Sequence, residues 1–386
     1  MTGAPREPWA PPPAPHADVT PRLAATVALV RAASGGGLEV LLTQRPATMR
    51  FAADVHVFPG GAVDDADADA GLVGRMDLAP DVAAARLGGD LNPTTAAAVH
   101  VAAIRELAEE AGVLLVDPPV GADSMRVVQG AITRGQVFAE VLDDLDRLAG
   151  RPVRLSTRAL RPLSRWVTPP LLPRRFDARF FVAVLPDGAR PAFAADEVVD
   201  HRWVRPRDAL NGIARGDVRL WLPTFVTIQQ LDALGGTAGL ERSPEPGSWR
   251  APEVRDVAPG IATVTLFGAG GVPGRTGTAW LVGREAVVLV DPGDPAPEAA
   301  EAIYDAIAAR GGRLEAIALS DTGPDRAAGA EGIALRTGVP ILAPTGSAAA
   351  LPYAVVEVDP GAPVPYADVE VRLPISGGGM PPGSAG

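Results

Sequence analysis

One polar stretch rich in Pro and Gly, Glu241 to Pro252 (ERSPEPGSWRAP), most constrains how this chain folds. Proline can neither continue a helix nor donate to a sheet ladder, so no regular element is expected to cross it. The 386 residues are therefore expected to form two units, at 21–240 and 253–386, joined by a linker at 241–252, each of ordinary domain size. Six of the first fifteen residues are proline, which predicts a disordered tail over 1–20.

In the first unit, Leu23 to Arg31 and Leu38 to Thr43 are β-rich runs. Ser34-Gly35-Gly36-Gly37 separates them, which is a hairpin pattern. Val55 to Phe58 runs into Pro59-Gly60-Gly61, and the acidic, Ala-rich residues 64–95 read as an irregular insertion. A helix is expected from Thr94 or Thr95, either hydroxyl serving as N-cap, to Ala111, with Gly112 closing it. Strands follow at Ser164–Val167, Phe180–Leu185 and His201–Val204, and helices at Asp208–Arg215 and Pro223–Leu234. The second unit reads as strands at Ile261–Leu266, Thr278–Val282, Ala286–Val290, Ala316–Leu319 and Val339–Leu342. Helices are expected at Pro297–Arg310 and around Ala327–Thr337.

Cysteine and lysine are both absent. That excludes disulfides, thiolate nucleophiles, cysteine-ligated metals and Schiff-base chemistry, and leaves Arg as the strong binder of phosphate or carboxylate. GC-rich coding accounts for the missing lysine. The net charge of −11 argues against nucleic acid as a partner. Residues 1–240 hold 25 Arg against 28 acids and residues 241–386 hold 10 against 18, so if either half handles polyanions it is the first. No apolar run reaches the ~18 residues of a membrane span, and the first twenty residues lack a signal-peptide core. The expectation is a cytoplasmic chain with no membrane partner.

Three of the 17 glutamates fall within five residues, Glu106, Glu109 and Glu110. At i, i+3 and i+4 they share one helix face, where they repel each other unless a cation sits among them. Mg²⁺ or Mn²⁺ suits such a set, being hard and satisfied by carboxylate plus substrate phosphate oxygens. Arg105 lies four residues before Glu109, placed to orient that carboxylate, while Leu107 and Val113 anchor the helix. A bare Glu-Glu pair is usually a solvated helix face, and the neighbours set this one apart. His100, six residues before Glu106, points away from the carboxylates and reads as structural; His56 approaches the Pro-Gly-Gly turn, and His16 lies in the tail.

Gly61 followed by Arg105-Glu106-Leu107-x-Glu109-Glu110-x-Gly112-Val113 resembles the Nudix box of hydrolases that cleave a nucleoside diphosphate linked to another moiety. Asp67 stands where the box has a Glu, and the 64–95 insertion replaces a short spacer. Leu41 to Arg45, Arg50 and Phe58-Pro59-Gly60-Gly61 are similar to the motif preceding the box in coenzyme A diphosphatases, with Pro46 and Asp54 as departures. Arg174-Arg175-Phe176-Asp177 looks like the later core of the same family, whose peroxisomal branch also carries a long insertion.

The resemblance, over about residues 22–235, implies an α/β fold, a Nudix α/β/α sandwich with a mixed sheet. It implies Glu106, Glu109 and Glu110 as metal ligands, with Glu109 also a candidate base. Arg105 and Glu197 are implied as catalytic, and Arg45, Arg50, Gly60 and Gly61 as substrate-binding. The implied partner is a small-molecule nucleoside diphosphate derivative, with coenzyme A or acyl-coenzyme A first and a homodimer left open. ADP-ribose, dinucleotides or nucleotide sugars are the alternative substrates, and a non-catalytic nucleotide sensor is the alternative class.

Thr278 to Val282 and Val288-Leu289-Val290-Asp291-Pro292-Gly293 resemble the start of a metallo-β-lactamase fold. Its zinc motif, His-x-His-x-Asp-His, corresponds to Asp321-Thr322-Gly323-Pro324-Asp325-Arg326, where only Asp325 matches. No histidine follows His201, so no zinc is expected. Residues 253–386 read as a degenerate, partial α/β domain, structural or dimerising, with Asp321 and Asp325 as solvated carboxylates. A chain ending near Gly239 is expected to keep its activity unless this module supports a dimer or covers the site.

Overall fold

The structure, a computed structural model, describes residues 19–44, 55–88, 90–134, 136–168, 174–193, 200–215, 217–242, 252–272, 275–359, 361–364, 366 and 371–372. Nearly all of the expected tail and linker lies outside these residues, as do Arg45, Pro46, Arg50, Asp54 and Glu197.

Strands β1 (Arg22–Ala32) and β2 (Leu38–Gln44) form the expected antiparallel hairpin, Val30 opposite Val40. Glycines 35 to 37 turn the chain with positive φ, a conformation open to glycine. β3 (His56–Val57) and β4 (Gly60–Ala62) extend the sheet, β4 antiparallel to β1. The 64–95 insertion is ordered, contrary to the expectation of irregular chain. It holds α1 (Ala70–Gly74), capped by the Asp69 carboxylate, and α2 (Pro80–Arg86). Leu72, Met76, Leu78, Ala83 and Leu87 supply the apolar face that buries it in the same core as α3 (Pro93–Ala111). The α3 N-cap is Asn92, whose Oδ1 accepts from Thr95 N at 2.9 Å. The hydroxyls expected to cap already lie inside the helix, because Pro93 takes its first position.

Between β5 (Val116–Asp117) and β6 (Arg154–Leu155) lie α4 (Ala122–Thr133) and α5 (Phe138–Ala149). Then come β7 (Arg161–Val167), β8 (Phe176–Val184), β9 (Asp200–Val204), α6 (Pro206–Arg215), α7 (Leu222–Leu234) and α8 (Thr237–Arg242). The seven-stranded sheet runs β3-β2-β1-β8-β7, with β4 on β1 and β9 on β2. It is mixed, because β1 and β8 are parallel while the other pairs are antiparallel. Alternation along β1 feeds both faces: Val27 and Leu29 pack in the α3 core, Ala28 and Val30 in the opposite one. This is the expected sandwich.

The second unit is another seven-stranded sheet in chain order, β10 (Glu253–Ala258), β11 (Ile261–Leu266), β12 (Gly277–Val282), β13 (Ala286–Val290), β14 (Arg313–Ala318), β15 (Ile341–Pro344) and β16 (Val356–Val358). Pairing is antiparallel up to β13 and parallel beyond it. Helices α9 (Pro297–Ala309), α10 (Pro324–Ala327) and α11 (Ala330–Thr337) connect the later strands. The two units share a continuous apolar cluster, in which Leu222, Phe225 and Ile228 of α7 join Val264, Leu289 and Ile317. At the junction Gln230 Nε2 donates to Gly270 O at 2.7 Å in a buried bond. No described helix is long and apolar enough to cross a membrane.

Candidate functional site

The C-terminal end of α3 builds the site. Ile104, Leu107 and Ala108 are buried beneath it, so the charged positions 106, 109 and 110 turn away from the core. Gly112 closes the helix in the left-handed region (φ 61), and its N–H donates to Ala108 O at 3.1 Å. No larger residue fits there, because a Cβ would strike the Gln129 amide and Ala192 O.

Strand β4 lies against the carboxylates. Gly60 N donates to Glu110 Oε2 at 3.0 Å. A Cβ on Gly61 would enter the Glu106 carboxylate, and one on Gly60 would enter the β1 backbone at Ala25 and Thr26. Both glycines are therefore needed for close approach.

Arg105 ties the site together. Its Nε and Nη2 grip Asp67 bidentately at 2.8 and 2.9 Å, and Nη2 also reaches Ala62 O at 3.1 Å. Nη1 donates to Glu106 Oε1 at 2.9 Å and to Glu109 Oε2 at 3.0 Å, the orienting contact expected from the spacing. Burial works against the Arg105 charge, but the Asp67 hydrogen bond and the Glu106 and Asp67 charges prevail and raise its pKa. Asp67 is 1% exposed. Burial pushes Glu106 up to about 7; the Arg105 charge opposes this and the Glu109 charge adds to it.

Glu106, Glu110, Gly60 and Gly61 line a cleft of ≈ 770 Å³. Arg22, Arg174 and Arg175 stand on the same cleft. Arg175 hydrogen-bonds the carbonyls of Thr168 and Val19, and burial lowers its pKa. No carboxylate among the described residues pairs with it, and such a half-buried cation suits a phosphate. The sequence showed this Arg174-Arg175 pair only as part of a motif, without a role. The opposite wall belongs to the second unit, through Asp294 to Ala296, α9 and α11. Burial pushes Asp294 and Glu331 up to about 7.

Among the described residues no three Asp, Glu or His side chains converge on a ready-made cation cage. The fit is to a cation that takes one or two carboxylates and completes its shell with water and substrate phosphate, the habit of Mg²⁺. Glu106 and Glu110 are the carboxylates of this helix that line the cleft, while Glu109 accepts from Arg105 beside them. His100 is buried in α3, its Nδ1 at 2.8 Å from Ala96 O, and burial holds its pKa down at about 4. That is the structural place expected for it. Arg45, Arg50 and Glu197 fall outside the described residues.

In the second unit Asp291 takes a left-handed conformation (φ 54), and its carboxylate accepts from Ser320 N, Ser320 Oγ and Arg326 Nη1 at 2.7–2.8 Å. Asp325 pairs with Arg275 at 2.5 Å, and Asp321 accepts from Gly323 N at 2.7 Å. Guanidinium groups thus neutralise Asp291 and Asp325.

The family model described as the NUDT19 Nudix domain matches residues 17–231, and that of the metallo-beta-lactamase superfamily matches 272–385. The chain is 27% identical over 228 residues to acyl-coenzyme A diphosphatase NUDT19 of Xenopus laevis, covering 50% of this chain and 59% of that protein. It is 28% identical over 240 residues to the Homo sapiens protein of the same name, covering 53% and 64%. The Caenorhabditis elegans putative nudix hydrolase 7 is 23% identical over 192 residues, covering 50% and 55%. The chain spans less than two thirds of the length of each of these relatives. Among solved structures, a NUDIX hydrolase from Alicyclobacillus acidocaldarius is 30% identical, covering 57% of this chain and 94% of that one, with a TM-score of 0.45.

Proposed function

Because the chain belongs to the NUDT19 Nudix domain family, we propose that residues 22–235 cleave coenzyme A or an acyl-coenzyme A at its diphosphate, in the cytoplasm. Water adds to one phosphorus, and the products are 3′,5′-ADP and the (acyl-)phosphopantetheine part. The observation that carries this reading is the meeting of Glu106 and Glu110 with Gly60-Gly61 on a cleft edged by Arg22, Arg174 and Arg175.

In this reading Glu106 and Glu110 hold Mg²⁺ or Mn²⁺, with Glu109 a further ligand or the base that takes the proton of the attacking water. When bound, the cation neutralises charge developing on the diphosphate oxygens. Arg105 fixes Glu106 and Glu109 in place. Gly60 and Gly61 let the diphosphate approach the backbone closely. Arg45 and Arg50 clamp the diphosphate or the ribose phosphate and Glu197 supplies a further carboxylate, assignments that rest on the sequence motif alone. Zinc has no part in it, since the cleft offers oxygen donors and neither Cys nor His is present after His201.

The test is turnover of coenzyme A, its dephospho form, ADP-ribose and NADH with each metal, with products identified by mass spectrometry. Coenzyme A is expected to lead its dephospho form about tenfold or more, the worth of a charge-assisted hydrogen bond to the 3′-phosphate. Glu110→Gln should lower turnover at least a hundredfold with the fold intact. A lead for ADP-ribose or NADH leaves a diphosphatase of another substrate, and nucleotide binding without turnover makes the chain a sensor.

A further inference from the structure

We propose that the second unit is the specificity wall of this cleft: α9 and α11 receive an apolar arm carried by the nucleoside diphosphate and set the preferred arm length. The inference rests on the diphosphatase reading and adds to it a role for the second half of the chain.

One cleft holds both surfaces. Its Nudix side carries Glu106, Glu110 and the arginines, so the charged diphosphate belongs there. Facing it across the same space are Pro297, Ala300 and Tyr304 of α9 and Ile333 and Leu335 of α11. Leu335 is 46% exposed, a large apolar side chain given to the cleft rather than to the core. The Tyr304 ring is held by the Arg336 guanidinium, whose central carbon lies 4.5 Å from its centroid, and Arg336 is in turn paired with Glu301. A surface that is apolar apart from Asp294, Glu301, Glu331 and Arg336, on one cleft with a polyanion site, fits a ligand that is charged at one end and apolar at the other.

The wall is fixed in place. Gly271 packs so closely on Trp166 of β7 that an added Cβ would sit 3.3 Å from the indole, and Arg165 reaches Glu298 at 3.4 Å. The buried Gln230–Gly270 bond and the shared apolar cluster complete the junction. Of the residues aligned with the zinc motif, Asp325 is paired with Arg275 and Arg326 with Asp291, so this unit offers the cleft its α9 and α11 surface rather than that motif.

The experiment uses the intact chain and two variants, Leu335→Asp, at a half-exposed position, and Ala300→Trp, which fills the wall. Coenzyme A, acetyl-coenzyme A and a twelve-carbon acyl-coenzyme A are compared by KM and kcat, and by equilibrium binding in EDTA, where turnover is suppressed. Each buried methylene is worth about fourfold in affinity, so the long arm should bind the wild type most tightly. Both variants should raise KM and Kd for it at least tenfold, leaving kcat and the constants for coenzyme A within about twofold. Unchanged arm-length dependence, or equal losses on all three ligands with melting temperatures unchanged, overturns the wall. Should the wild type turn over no diphosphate, the diphosphatase reading fails, and the EDTA series decides alone: binding indifferent to arm length overturns this proposal too.

Discussion

Arg105 is the residue on which the site converges, since four acceptors from three segments of the chain share one guanidinium. Removing one partner of a buried pair costs more than the pair itself contributes, because the other charge is left without compensation. Arg105→Ala should therefore destabilise the fold by about 3 kcal/mol, leaving Asp67 buried and unpaired, and urea denaturation would measure it. The two glycines of β4 separate activity from stability. Gly61→Ala presses on the Glu106 carboxylate, a side chain that can move, so kcat should fall at least tenfold while the melting temperature changes little. Gly60→Ala meets backbone instead and should cost about 2 kcal/mol of stability.

At the scale of elements, α3 is held at both ends, by Asn92 at its start and by Gly112 at its end. Asn92→Ala should cost about 1 kcal/mol, read as a lower denaturation midpoint with the slope unchanged. The loop from β13 into α9 supplies a pH dependence. Burial raises Asp294 from 3.8 to about 7, against the hydrogen bonds it accepts from Ala296 N and Gly268. A carboxyl that holds its proton more tightly when folded favours the fold fully below its unfolded pKa. That contribution is lost as pH rises from about 4 through about 7. Melting curves across this window should show wild-type stability losing ground, as pH rises, relative to Asp294→Asn, which keeps the acceptor and does not titrate.

For the whole molecule, the shared apolar cluster decides what a truncation does. A chain ending at Arg242 loses the cover over α7 and the partner of Gln230, and Trp166 loses the close backbone of Gly271. It is expected to melt several degrees lower and to associate through the uncovered face, which thermal melts and size-exclusion chromatography would show. The expectation that the first unit alone keeps its activity has two exceptions, a module that supports a dimer and one that covers the site, and the second unit lines that cleft.

What the sequence by itself determined lies within a few helical turns or one strand. The carboxylate face of α3 follows from spacings of three and four, its end from a glycine, and the β1–β2 hairpin from alternation around a glycine turn. Helix α5 was equally legible, since Phe138, Val141, Leu142 and Leu145 are buried at helical spacing, although no helix was expected there. The N-cap was misplaced by three residues or fewer because Asn, Thr and Thr surround one proline and all can cap. Only the tertiary structure decided the rest. Asp67 meets Arg105 across 38 residues because the insertion folds into helices, and β8 lies parallel to β1 with more than half of the first unit between them. The far wall of the cleft comes from beyond the linker. Local spacing reports which side chains share a face, whereas a partner brought from a distance depends on how whole elements pack, which no short stretch of sequence encodes.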